Sequence, residues 1–314
     1  MNALILTRAP CAPRRDPSAH ATHLPAVMTA FLLCFTLLFG CESQVVRLLD
    51  EAPTESRAGD VEPAADYAAS LTALLARVVT DEGLVRYDLL RGELRNDFRR
   101  VLKAVEDFDA SGLLTREARL AFWLNAYNVQ MLENVIETPE VHDIVADGFV
   151  EAFFRTPYRT AGLGVTLDQI ENVILRRSDF DERLAVFRLP ELDPRIHAGI
   201  NCAAVSCPIL RRRAFTPENV DAELDDAMAD FVNRPRHFRV EGDGFVLSAL
   251  LDWFGSDFDS QGMPAGDFLL GFMSPGRPDY DRLKGLLEGR SAAEIKAQPN
   301  VRFEYLWKVN RAEE

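Results

Sequence analysis

The chain has 314 residues, and 35 Lys and Arg stand against 49 Asp and Glu, a formal net charge of −14. With 47% hydrophobic and 9% aromatic residues it carries enough apolar side chain to fill a core, which excludes a wholly disordered protein. The acidic balance argues against nucleic acid as a partner, because phosphate binding needs a basic face, and only Cys202 and Cys207 lie beyond residue 41, which excludes a disulfide-dense scaffold.

Arg8, Arg14, Arg15 and Asp16 are the charged residues of positions 1–40, so the rest of the chain carries −16. Leu24 to Cys41 has no charge, and Val27 to Phe39 is almost entirely apolar. A basic lead, an apolar stretch and a small residue form an export signal. Its end, Leu38-Phe39-Gly40-Cys41, resembles the lipobox of bacterial lipoproteins, which makes Cys41 the lipidated residue and 1–40 the signal peptide. An uncleaved anchor, an ordinary cleaved signal and a start at Met28 are the alternatives. Each signal reading puts the body in the cell envelope, on the periplasmic side of a bacterial membrane, and the lipoprotein reading makes that membrane a partner through the lipid.

Residues 41–64, rich in Glu, Asp, Pro, Ser and Ala, read as a flexible tether, and 65–314 as a single globular domain. Leu71, Leu74, Leu75 and Val78 set a helix over Asp66 to Val79. Leu84 to Tyr87 reads as a short strand, and Leu94 to Asp107 as a second helix. Thr115 opens the strongest helix, apolar nearly all round from Leu120 to Ile136, a pattern that places it in the centre of a domain. Thr166 to Arg176 is another helix, and Arg195 to Ile200 suits a buried strand. Pro217 to Phe231 is a helix with Thr216 as its cap. Phe238 to Val240 and Phe245 to Leu247 flank a hairpin turn. Tyr280 to Leu287 is helical, and Val301 to Tyr305 alternates like a strand. The sum is α+β, mainly helical with a small antiparallel sheet.

Three places hold residues that could carry chemistry. His197, Cys202 and Cys207 lie within one short segment that ends at Pro208. A thiol next to a histidine can become a nucleophilic thiolate, with Cys202 attacking and His197 as base. The same two cysteines could instead form a structural disulfide, act as a redox pair, or join His197 on a metal. Asn125 and Asn128 share one face of the apolar helix and must find partners, either as orienting groups of a site or as clamps on neighbouring backbone; Asn134 lies further along. Glu171, on an otherwise apolar helix, could act as a general base with a raised pKa, or pair with an arginine such as Arg195. Asp257 to Gly262 begins like a calcium loop, but Phe268 stands where the closing Glu belongs. Arg211 to Arg213 reads as a solvated basic loop. No cofactor motif and no dedicated metal motif is present in the sequence.

Several segments together resemble the family called domain of unknown function 547: Ala121 to Asn128, Thr166 to Asn172, Asp193 to Pro208, Phe215 to Val220, Leu247-Ser248 with Trp253-Phe254 and Asp257-Phe258, and Tyr305 to Asn310. Ala203 stands where the family pattern has Gly, and Leu306 and Lys308 replace more polar or acidic residues. The resemblance implies a compact α+β domain, often exported in bacteria, and implies no reaction. Two functions follow as expectations: a thiol-dependent hydrolase or acyl-transfer enzyme with a Cys/His pocket, or a non-catalytic module that binds a small molecule or peptide in the envelope.

Overall fold

Asp66 accepts a hydrogen bond from Ala69 N and opens α1 (Tyr67–Val78), whose Leu71, Leu74, Leu75 and Val78 are buried as their spacing predicts. The computed structural model describes residues 56–259 and 262–312, all within one compact unit. The expected signal peptide, Cys41 and the first part of the expected tether lie outside the described residues.

The remainder of the expected tether packs on the body. Glu106 is fully buried and takes hydrogen bonds from Ser56 Oγ, from Arg57 N at 2.8 Å and from Ala58 N at 3.4 Å. A carboxylate taken out of water needs such donors, and the chain at 56–58 supplies them. Among the described residues, packing on the body is therefore already present at Ser56, ahead of Asp66.

After α2 (Tyr87–Arg91) and α3 (Arg95–Glu106) comes α4 (Arg116–Glu137), capped by Thr115 through Ala118 N at 3.1 Å. Every residue from Leu120 to Ile136 is buried. The helix can be apolar all round because α2, α3, the segment 167–175 and a later helix all pack on it. Beyond α5 (Val150–Phe154) a short hairpin pairs β1 (Tyr158–Thr160) with β2 (Leu163–Val165). Its turn uses Ala161 and Gly162, both at positive φ.

Four expected elements differ. Thr166 to Arg176 divides into α6 (Leu167–Gln169) and a π-helical turn (Ile170–Leu175). Arg195 to Ile200 is not a strand: α7 (Ile196–Gly199) is a helical turn, buried throughout. At Gly199 a Cβ would stand 2.8 Å from Leu224 and 3.0 Å from Leu124, so only glycine lets these elements approach so closely. The helix expected from Pro217 starts later, as α8 (Val220–Asn233), because Asn219 closes a turn by accepting from Thr216 N and donating to Ala214 O. Val85 makes only isolated bridges, to Val79 and Arg311, and Tyr87 already belongs to α2.

The three-stranded sheet runs β3 (Phe238–Glu241), β4 (Gly244–Ser248), β5 (Val301–Glu304). The hairpin pair is antiparallel, but β5 joins β4 in parallel, with Leu247 opposite Phe303. Between β4 and β5 lie α9 (Ala249–Phe258), α10 (Ala265–Phe272), α11 (Tyr280–Leu287) and α12 (Ala292–Lys296). One apolar core gathers around α4, and a second joins α8, the sheet and α9 to α12. Among the described residues no helix is long and apolar enough to cross a membrane.

Candidate functional site

The π-helical turn sets the first wall. Thr166 and Gln169 form a capping box, with Gln169 N on Thr166 Oγ1 at 3.0 Å and Thr166 N on Gln169 Oε1 at 2.9 Å. Arg176 N then reaches back to Glu171 O at 2.9 Å, the wide bond of a π turn. On this turn Asn172 Nδ2 donates to Asp168 Oδ1 at 3.0 Å, and Arg176 Nη1 donates to Asn172 Oδ1 at 2.5 Å. Arg176 also grips Asp257 of α9 with two bonds, Nε to Oδ2 at 2.6 Å and Nη2 to Oδ1 at 3.1 Å.

Asp257 in turn receives His197. Nε2 lies 2.8 Å from Asp257 Oδ2, and the imidazole stacks on Phe254 with centroids 4.5 Å apart. Burial works against the Asp257 charge, but the hydrogen bonds of His197 and Arg176 outweigh it and hold the carboxyl at about 2. Burial pushes the His197 pKa down, against the pull of Asp257. Facing an ionised, Arg-paired Asp257, Nε2 of the imidazole is the donor of this bond.

The segment from His197 to Pro208 is held by amides. Asn128 Nδ2 donates to Gly199 O at 2.9 Å, and Asn201 N donates to Asn128 Oδ1 at 2.8 Å. Asn201 spans the loop, with Nδ2 on Pro208 O at 2.8 Å and Oδ1 accepting from Ala203 N at 2.9 Å. Asn310 Nδ2 donates to the same Oδ1 at 3.3 Å, and Tyr87 Oη donates to Asn310 at 2.7 Å. Ala203 itself has φ +61°, the left-handed region for which glycine is suited. Asn125 works likewise on another loop, pairing with both N and O of Phe215. These two amides are backbone clamps in geometry, the second of the readings open for them in the sequence.

Within this loop Cys202 and Cys207 are bonded, S–S 2.12 Å. Cys202 N donates to Cys207 Sγ at 2.9 Å. Tyr305 Oη lies 2.8 Å from Cys202 Sγ and 3.1 Å from Cys207 Sγ. His197 and Cys202 are thus near in sequence but turned to different partners, Asp257 for one and Cys207 with Tyr305 for the other. Among the described residues no group of three or more His, Cys, Asp and Glu is arranged to hold a metal.

Glu171 joins the sulfur side. Tyr127 Oη donates to its Oε2 at 3.3 Å. Its side chain is set deep among protein groups yet keeps partial solvent exposure. Burial, partly offset by Arg176, pushes the carboxyl up to about 7. Burial also raises the Tyr305 hydroxyl, and the charge of Glu171 adds to that shift, so the two groups are close electrostatic neighbours. Arg195 is not its partner: it pairs with Asp193, Asp221 and Asp225. Trp253, 36% exposed, completes this face with Tyr305 and Trp307, centroids 4.7–5.8 Å apart.

Sequence reasoning missed Asp257, Arg176, Tyr305, Asn201 and the two tryptophans. A signal existed for all of these except Arg176, since they lie in the segments that carry the family resemblance, as does Asn310. Arg211 and Arg213 pair with Glu223, and Arg212 with Asp81, which makes that cluster an ion-paired surface. Two cavities lie apart from these residues, one of about 800 Å³ lined by Phe108, Leu113, Leu163, Phe187 and Arg119, the other between α1 and α3.

Fold and site define an α+β domain in which one buried helix clamps a disulfide-closed loop. Residues 112–232 match the family model described as Protein of unknown function, DUF547, and the chain carries this family's domain over that stretch. It spans α4, the π turn, the bonded loop and most of α8; Asp257 and Tyr305 lie beyond it. No curated protein and no solved structure matches the chain.

Proposed function

We propose that this protein is a binding module of the bacterial cell envelope, carried on a lipid at Cys41, with its ligand face built by Glu171, Tyr305, Trp253 and Trp307 around the Cys202–Cys207 bridge. The observation that carries the reading is the bond between the two sulfurs. A Cys/His hydrolase needs a free thiolate and a base turned toward it; here the sulfur is in a bridge and His197 Nε2 is committed to Asp257. What the face offers instead is a partly exposed aromatic surface beside a carboxyl group. Such a surface suits a small molecule or peptide with an apolar body and an amine. The placement in the envelope rests on the sequence of residues 1–41 and agrees with a bridge that persists in oxidising compartments.

The test is alkylation with iodoacetamide under native conditions, followed by peptide mass mapping. Without reduction Cys202 and Cys207 are expected to remain unlabelled, and both to label after reduction and unfolding. Labelling of Cys202 alone in the unreduced protein would return the thiol hydrolase to first place. Intrinsic tryptophan fluorescence, titrated with short lysine-bearing peptides, tests the face itself; the response is expected in the wild type and lost in Trp253→Ala.

A further inference from the structure

The bridge has the asymmetry of an exchanging pair. Cys202 keeps partial exposure, whereas Cys207 is 4% exposed. The buried sulfur also has a backbone N–H aimed at it. Cys202 N points at Cys207 Sγ from 2.9 Å, and Tyr305 Oη, 2.8 Å from Cys202 Sγ and 3.1 Å from Cys207 Sγ, can turn its one proton to Cys207 once the bridge opens. Hydrogen bonds to a thiolate stabilise the charged form and make it a better leaving group. A purely structural bridge requires neither a backbone donor on one sulfur nor an opening at the other.

We propose that Cys202–Cys207 is a dithiol–disulfide exchange site: a thiolate of a dithiol partner attacks Cys202 Sγ, and Cys207 leaves as a thiolate held by Cys202 N–H and Tyr305. The first step forms the bond between partner sulfur and Cys202 and breaks the bond between Cys202 and Cys207. The partner's second thiolate then attacks its own bridged sulfur, forms the partner disulfide and releases Cys202. Two electrons pass from partner to protein, and the two thiol protons of the partner end on Cys202 and Cys207. A disulfide compound drives the reverse direction by the same bonds. The inference uses the face assigned above to ligand binding, and it does not depend on peptide affinity.

The experiment uses the exported, processed protein and oxidised glutathione. Cys207→Ser is expected to form a glutathione mixed disulfide at Cys202, mapped by mass spectrometry. Cys202→Ser, whose remaining thiol is buried, is expected to react at least about tenfold more slowly. In the otherwise intact chain, Tyr305→Phe is expected to slow reduction of the bridge by dithiothreitol by about tenfold, with the circular dichroism spectrum unchanged. Equal rates in the two cysteine variants, or a wild-type bridge that dithiothreitol opens only in denaturant, would overturn the proposal. The peptide titration is run on the oxidised protein, so the two readings fail separately. Binding without exchange overturns this inference alone, and exchange without binding overturns the binding module alone.

Discussion

Glu171 is the residue at which position and chemistry disagree most. It occupies a helix whose neighbours Ile170, Val173 and Ile174 are core, so any side chain there is surrounded by protein. Tyr127 donates to it, and the charges of Arg176, Asp168 and Asp257 act on it. Its carboxyl titrates at about 7 in the fold, against an ordinary value of 4.5. Between those two values the folded protein keeps a proton that the unfolded chain has released. Stability therefore falls as pH rises through this window, and the whole penalty is present above it. Glu171→Gln removes the penalty and keeps an acceptor for Tyr127. Thermal melts are expected to show the variant above the wild type at pH 8, with the difference shrinking toward pH 4.5. An equal difference at both values would mean that Glu171 titrates as an ordinary carboxylate. The sequence made this residue legible because a lone acid interrupts an apolar stripe. It could not show Tyr305 beside it, since that tyrosine comes from just beyond the last strand.

At the scale of elements, α4 does two jobs with one composition. Its apolar residues fill the core, and its amides hold loops. Asn128 satisfies both a buried C=O and a buried N–H of the 199–201 backbone. Asn128→Ala orphans both groups and is expected to cost about 2–4 kcal/mol, read as a lower denaturant midpoint at unchanged slope. A cost below about 1 kcal/mol would mean that water or a shifted loop replaces the clamp. Helices with a clear stripe, α1 and α3, could be read directly from spacing, and α4 from its long unbroken apolar run. The turn α7 could not, because Ile196 to Gly199 is buried on every side and so short that no period separates strand from helix. Alternation in 301–305 announced β5, but alternation is the same for either direction, so its parallel pairing with β4 stayed hidden. The left-handed φ of Ala203 was legible in another way, through the glycine that the family pattern has at that position.

At the scale of the whole molecule, the segment 56–58 fixes where the expected tether meets the body. Residues 56–58 fasten to Glu106, and Arg57 adds a bond to Gln130 and a guanidinium over the Tyr158 ring at 4.2 Å. If Cys41 carries a lipid, the distance from lipid to body is bounded by the chain from Cys41 to Ser56, at most about 50 Å when fully extended. The expected arrangement is therefore a body held within one envelope layer, its face free to meet ligands there. Growth of the expressing bacterium with a labelled fatty acid should place label on the protein, and Cys41→Ser should abolish it while the protein is still made. Glu106→Ala adds an independent readout: with the fastening at 56–58 released, trypsin is expected to cut after Arg57 at least about tenfold faster than in the wild type, because cleavage follows the population of the open segment. Label that persists in Cys41→Ser would place the attachment elsewhere, and unchanged cleavage in Glu106→Ala would mean that Glu106 does not hold the 56–58 segment.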